Sequence, residues 1–110
     1  MLLSIRIKRN IDALQLLKRA PPKLRRAILE NCDRDLLLAL CEIALNTLNG
    51  TVKLSPKRRK SLARHGRSLR AVVDGKVPIA KKRRLLVQQG GFLASLLVPA
   101  LSLLASLLAP

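Results

Sequence analysis

The sequence predicts an all-α fold, a small helical bundle with a separable apolar C-terminal helix. Three observations predict it. Apolar residues recur at helical spacing in one stretch after another. Pro-Pro, Asn-Gly, Ser-Pro and Gly-Gly pairs separate these stretches as helix stops and starts. After Gly91 the chain carries no charge. With 110 residues it holds at most one modest core. We divide it into an apolar helical core (1–50), a basic helical region (51–91) and a hydrophobic C-terminal tail (92–110).

The first expected helix is 10–19, with Asn10 as N-cap and Ile11, Ala13, Leu14, Leu16 and Leu17 on its apolar side. Pro21-Pro22 ends it, and Pro22 opens a second helix, 22–31. There Leu24, Ala27 and Ile28 are expected inward, with Lys23, Arg25 and Arg26 in water. Asp33 or Asp35 caps a third helix, 34–48. Its leucines and Ile43 surround most of the circumference, the pattern of a helix buried at the centre of a bundle. Asn49-Gly50 stops it. Ser55-Pro56 restarts the chain for a basic helix, 56–74, kinked at Gly66, with Leu62, Leu69, Val72 and Val73 toward the core. Gly75 ends that helix, and Pro78 opens the last basic one, 78–89, with Ile79, Leu85, Leu86 and Val87 as its apolar contribution.

Gly90-Gly91 then breaks the chain before a tail helix, 92–109. Fourteen of the nineteen residues from Phe92 to Pro110 are apolar. As a helix the tail spans roughly 28 Å, close to the ~30 Å of a bilayer core. Phe92, Leu93, Leu96, Leu97, Val98, Leu101, Leu103, Leu104, Leu107 and Leu108 are its candidate membrane residues. Ser95, Ser102 and Ser106 form a weak polar stripe. Three roles remain open for the tail: a membrane segment, a surface packing on other copies, or a helix closing the bundle core.

Charge is the strongest functional signal. The chain has 22 Lys and Arg against 6 Asp and Glu, a net +16. Residues 1–50 carry nine cations and five acids, +4, whereas residues 51–90 carry thirteen cations and Asp74 alone, +12. Such a block repels itself unless a polyanion neutralises it, and nucleic acid and anionic membrane are the commonest such partners. Candidate phosphate contacts are Lys57, Arg58, Arg59, Lys60, Arg64, Arg67 and Arg70, with Lys81, Lys82, Arg83 and Arg84 as a second cluster. PKRRK and KKRR also read as nuclear import patches. One Phe and no Tyr or Trp argue against base stacking on aromatic platforms. No Asn or Gln stands beside the arginines of 56–74, so base reading is not expected. If six to ten cations meet phosphates, log K falls with log salt at a slope of roughly −5 to −9.

No enzymatic constellation is present. Glu30, Asp33, Asp35 and Glu42 read as helix caps and surface pairs. His65 lacks a nearby acid and reads as solvated. No metal spacing, phosphate-binding loop or dinucleotide fingerprint occurs, so no cofactor, metal or small-molecule substrate is expected. Cys32 and Cys41, nine residues apart, are too distant along one helix to bridge. They read as reduced, buried thiols in an intracellular or nuclear setting. MLLSIRIKRN lacks the long apolar region of a secretory signal.

The strings LLLALCEIALNTLNG, LSPKRRKSL and KKRRLLVQQGGFLASLLVPALSLL resemble a small basic protein of Maverick/Polinton elements and the related adintoviruses. That protein is compared with adenovirus core protein X (mu), the precursor of a basic DNA-condensing peptide. The resemblance covers about residues 10–108 and is most specific at ALCEIALNTLNG and RRLLVQQGGFL. It implies a virion structural protein, a minor capsid or core component made late and packaged with double-stranded DNA in the host nucleus. It also implies a role for the tail in membrane disruption during entry. Adenovirus-type maturation proteases favour an aliphatic residue, any residue, then Gly-Gly before the cut. Gln88-Gln89-Gly90-Gly91-Phe92 matches the glycines and departs at Gln88. Gly90 and Gly91 are therefore a candidate hinge or cleavage site, or a Schellman-type helix stop.

The leading expectation is sequence-independent binding and condensation of double-stranded DNA. A membrane-inserting or lytic role, with Lys81–Arg84 on anionic headgroups, is the alternative. Docking of the tail on capsid proteins is a third.

Overall fold

The computed structural model describes residues 4–89, 93 and 96–103. Among them every regular element is a helix: α1 (Ile5–Arg9), α2 (Ile11–Arg19), α3 (Pro22–Asn31), α4 (Arg34–Leu48), α5 (Pro56–Ala63), α6 (Gly66–Val73) and α7 (Ile79–Gln88), then α8 (residues 96–103). The all-α class follows the apolar periodicity. Gly90, Gly91, Phe92, Leu104, Leu107 and Leu108 lie outside the described residues, and with them the candidate hinge or cleavage site.

Local chemistry accounts for most boundaries. Asp33 accepts from Leu36 N at 2.9 Å and caps α4. Ser55 accepts from Arg58 N at 3.2 Å, with Pro56 as first residue of α5. α4 ends in a Schellman motif, in which Gly50 N donates to Thr47 O at 3.2 Å and Thr51 N to Asn46 O at 3.0 Å. Gly50 sits at φ +79, a conformation open to glycine at little cost. The expected kink at Gly66 is a full break, with Arg64 and His65 forming the turn between α5 and α6. α6 stops at Asp74 rather than at Gly75. The Asp74 carboxylate accepts from Lys76 N at 2.9 Å, an Asx turn.

Two local expectations are corrected. Helix α1 precedes the expected start at Asn10. Ser4 caps it by accepting from Ile7 N at 3.1 Å, and Ile7 is fully buried. One turn with a single inward residue leaves no periodicity to read. Asn10 sits at the start of α2, yet its side chain makes no cap bond there. It donates instead to Arg6 O at 2.9 Å and to Asp35 Oδ2 at 2.8 Å. In α3 the inward face is rotated from the expected one. Leu29 is buried, whereas Leu24 is 46% exposed and Ala27 is exposed.

Helix α4 is the centre of the bundle, packed against α1, α6 and α7. Leu36, Leu37, Ala39, Leu40, Ile43 and Ala44 are buried along it, and Thr47 Oγ1 donates to Ile43 O at 2.9 Å, satisfying its hydroxyl. Helix α3 lies on α7, and α2 follows α1.

The largest correction concerns the tail. The separable helix is not observed. Leu93, Leu96, Leu97 and Ala100 are 0% exposed and Leu101 1%, all within the same core cluster as Leu40 and Ile43 of α4. Val98 and Leu103 are half-buried. No helix among the described residues is long and apolar enough to cross a membrane. Burying each of those four leucines is worth about 1.5–3 kcal/mol, so together roughly 6–12 kcal/mol. A domain's whole stability is about 5–15 kcal/mol. The described part of the tail is therefore part of what folds the chain. An uncharged helix suits the one place where every side of a neighbour must be covered.

Leu97→Ala should lower the unfolding free energy by about 2–5 kcal/mol, and Leu24→Ala by less than about 1 kcal/mol, both read from urea denaturation. Equal losses would mean that the tail does not share the core.

Asp35, on the first turn of α4, binds α1 to it. Its carboxylate accepts from Arg9 Nη2 at 2.8 Å and from Arg6 Nε at 3.2 Å, besides Asn10. Arg6 also reaches Glu42 Oε1 at 3.0 Å, and Ser4 donates to the other Glu42 oxygen. Hydrogen bonds from Arg9, then Asn10, hold the Asp35 carboxyl well below the usual carboxylate range; burial opposes them, and Arg6 adds a further lowering effect. A depressed carboxyl contributes stability above its unfolded value of about 3.9 and loses it as pH falls toward the folded value. The gap in urea midpoint between wild type and Asp35→Asn should stay constant from about pH 8 to about pH 5 and close below about pH 4. A gap unchanged at low pH would show that the charge is not what Asp35 supplies.

Candidate nucleic-acid interface

The basic block is held on a folded support. Leu62 of α5, and Leu69 and Val72 of α6, are buried and tie both helices to the core. Opposite them Lys57, Arg59, Lys60, Arg67 and Arg70 are exposed, as is Arg64 in the intervening turn, while Arg58 is half-buried. Arg67 and Arg70, one turn apart, share a helix face. None of the ion pairs among the described residues includes any of these seven; those pairs join Arg6 and Arg9 to Asp35 and Glu42. The single acid of the region, Asp74, is turned to backbone N–H. The α5–turn–α6 unit therefore exposes six cations that enter no ion pair among the described residues, a surface suited to an external anion.

The second predicted cluster is split by its helix. Lys81 and Arg84 are exposed. Lys82 is 8% exposed, on the same stripe as the fully buried Leu86. Ile79, Lys82 and Leu86 stand at spacings of three and four, the period of an inward face. That period, visible in IAKKRRLL, marks Lys82 as a residue whose stem covers apolar surface. Arg83 is committed to structure. Its Nη1 donates to Leu29 O at 2.7 Å and to Cys32 O at 2.9 Å. These carbonyls close the C-terminal end of α3, where a cation complements both the free acceptors and the helix dipole. Lys82 and Arg83 therefore leave the phosphate-contact set, and Lys81 and Arg84 remain.

Arg25 plays the equivalent part at the end of α2, donating to Leu17 O at 3.2 Å and Ala20 O at 3.1 Å. It was expected in water. An arginine six residues beyond the last residue of the proline-terminated α2 was the available signal. His65 is likewise not simply solvated. It is half-buried, and its Nδ1, when protonated, donates to Gln89 Oε1 at 3.1 Å, joining the α5–α6 turn to the end of α7.

The two cysteines are free and half-buried rather than buried. Burial raises both thiols above their ordinary value, against the opposing charge of Arg83 at Cys32 and of Lys82 at Cys41. Neither has the lowered pKa of a reactive thiol. Among the described residues no group of three His, Cys, Asp or Glu side chains is placed to hold a metal ion.

Comparison with protein-family models, curated proteins and solved structures finds no match to this chain.

Arg83→Ala should destabilise the fold by about 1–3 kcal/mol, the cost of leaving part-buried acceptors without their charged donor. It should leave the salt dependence of DNA binding unchanged. Arg83→Lys should recover only part of the stability, because a lysine does not reproduce the planar guanidinium. A loss of DNA binding with intact stability would return Arg83 to the phosphate surface.

Proposed function

We propose that this chain is a non-enzymatic protein that binds and condenses double-stranded DNA through phosphate contacts, without reading sequence. One observation carries the reading: Lys57, Arg59, Lys60, Arg64, Arg67 and Arg70 are exposed on one folded unit, and among the described residues no acid is paired with them. Lys81 and Arg84 add a second, smaller patch on α7, which packs on α6. Cations anchored on helices release counter-ions from DNA at a lower ordering cost than a flexible tail does. The scarcity of aromatics favours the duplex backbone over splayed single strands.

The virion setting, with the host nucleus as site of assembly, rests on the resemblance of ALCEIALNTLNG and RRLLVQQGGFL to the Polinton and adintovirus protein. A membrane-lytic role carries an added cost. Leu93, Leu96, Leu97, Ala100 and Leu101 have to leave the core first, at a free-energy cost comparable to the stability of a domain. Capsid proteins remain partners to be tested by co-sedimentation.

The test is a titration of labelled duplexes of two unrelated sequences across a salt series. Both should bind alike, with log K falling against log salt at a slope of roughly −5 to −9. Replacing Arg59, Lys60, Arg64 and Arg67 by Ala should shrink the slope by up to about 4. A flat salt response, or strong preference for one duplex, would overturn the reading.

A further inference from the structure

Between the end of α4, the loop after it and the α5–α6 hairpin lies an open groove of about 610 Å³. Its floor is apolar, with Leu48, Leu54 and Leu69 among the lining residues, and its rim is basic, formed by Lys53, Arg59 and Arg70. None of the described residues that line it is acidic. Leu48 is 44% exposed and Leu45, one turn earlier on α4, is 45% exposed, so the apolar surface continues out of the groove along α4. A Cβ added at Gly66, at the mouth of the hairpin, would meet nothing within 4 Å. The space falls within the roughly 300–1,000 Å³ of ordinary binding pockets.

The DNA surface does not account for this groove. A phosphate backbone pairs with the rim but brings nothing apolar to cover Leu48 and Leu54. A second copy of the chain is disfavoured by charge, because each molecule carries a net +16 and the rim residues would meet cations. The geometry points to a different occupant: a short acidic segment of a partner protein that seats one or two large aliphatic side chains on Leu48 and Leu54, above the buried Leu69, with flanking carboxylates on Lys53, Arg59 and Arg70. Apolar anchors set in a ring of complementary charge are how amphipathic peptides occupy such grooves. Acidic segments would compete with DNA at Arg59 and Arg70, which belong to both surfaces. The apolar floor is what the peptide uses and DNA does not.

The test uses the full-length protein and a fluorescein-labelled twelve-residue probe rich in Asp and Glu, with two leucines four residues apart. A second probe replaces both leucines by serine. The leucine probe should bind, and the serine probe should bind about tenfold more weakly, the loss expected for an interface anchor. Leu48→Ser should weaken the leucine probe by a similar factor while leaving the affinity for a labelled duplex unchanged. Lys53→Glu, at an exposed loop position, should weaken the leucine probe through charge alone. Thermal unfolding of each variant checks that the fold is kept. Equal binding of the two probes would show a charge surface without a groove function and overturn the inference. So would a Leu48→Ser protein that binds the leucine probe normally. Failure of the leucine probe to bind, with Leu48→Ser weakening adsorption to phosphatidylserine vesicles instead, would assign the apolar lip to a bilayer and equally overturn it. Each of these outcomes is independent of whether the duplex binds.

Discussion

A helix that is apolar around most of its circumference cannot stand in water, and α4 is such a helix. Its fifteen residues include eight whose side chains are buried, and they point in several directions. One neighbour cannot cover them. The rest of the chain is arranged as cover: α1 on one side, α6 and α7 on others, and the leucines of the C-terminal segment within the same cluster. Removing any one cover exposes α4 rather than only the element removed. The basic helices are anchored by the same demand, since Leu62, Leu69, Val72 and Leu86 contribute to the cluster that encloses it.

That anchoring resolves a conflict between charge and compactness. Residues 51–90 carry +12, and a segment of that charge density favours an expanded chain when nothing apolar holds it. Here each basic helix keeps one narrow buried stripe, and the cations occupy the remaining arc. Burial of a few aliphatic side chains offsets repulsion that water and salt already weaken at the surface. The result is a surface whose charges stand at fixed places on packed helices.

The cations are not equivalent. Those within reach of a helix C-terminus or a carboxylate become structural. Arg25 closes α2, Arg83 closes α3, and Arg6 and Arg9 hold α1 to Asp35 and Glu42. Those on α5, on α6 and in the turn between them enter no ion pair among the described residues, and they remain available to an external anion. Two adjacent residues of one tetrapeptide, Arg83 and Arg84, fall on opposite sides of this division.

Much of the local architecture was legible in the sequence. Asp33, Ser55-Pro56, Pro22 and Asn49-Gly50 act through their nearest neighbours, so each boundary could be read without knowing the fold. The central burial of α4 followed from its composition, and the inward set Leu62, Leu69 and Val72 from period alone. What escaped were features defined by contacts across the chain. Arg83 lies 51 residues from the Cys32 carbonyl it caps, and Asp35 lies 29 from Arg6; nothing in either local string announces its partner. The tail posed the same problem. An uncharged apolar helix suits a bilayer and the middle of a bundle equally, because both are low-dielectric surroundings that ask only for apolar side chains. Composition by itself determined that these leucines avoid water. Only the tertiary structure decided what they meet instead, because the buried cluster that Leu93, Leu96, Leu97 and Leu101 join is assembled only once the other helices have packed.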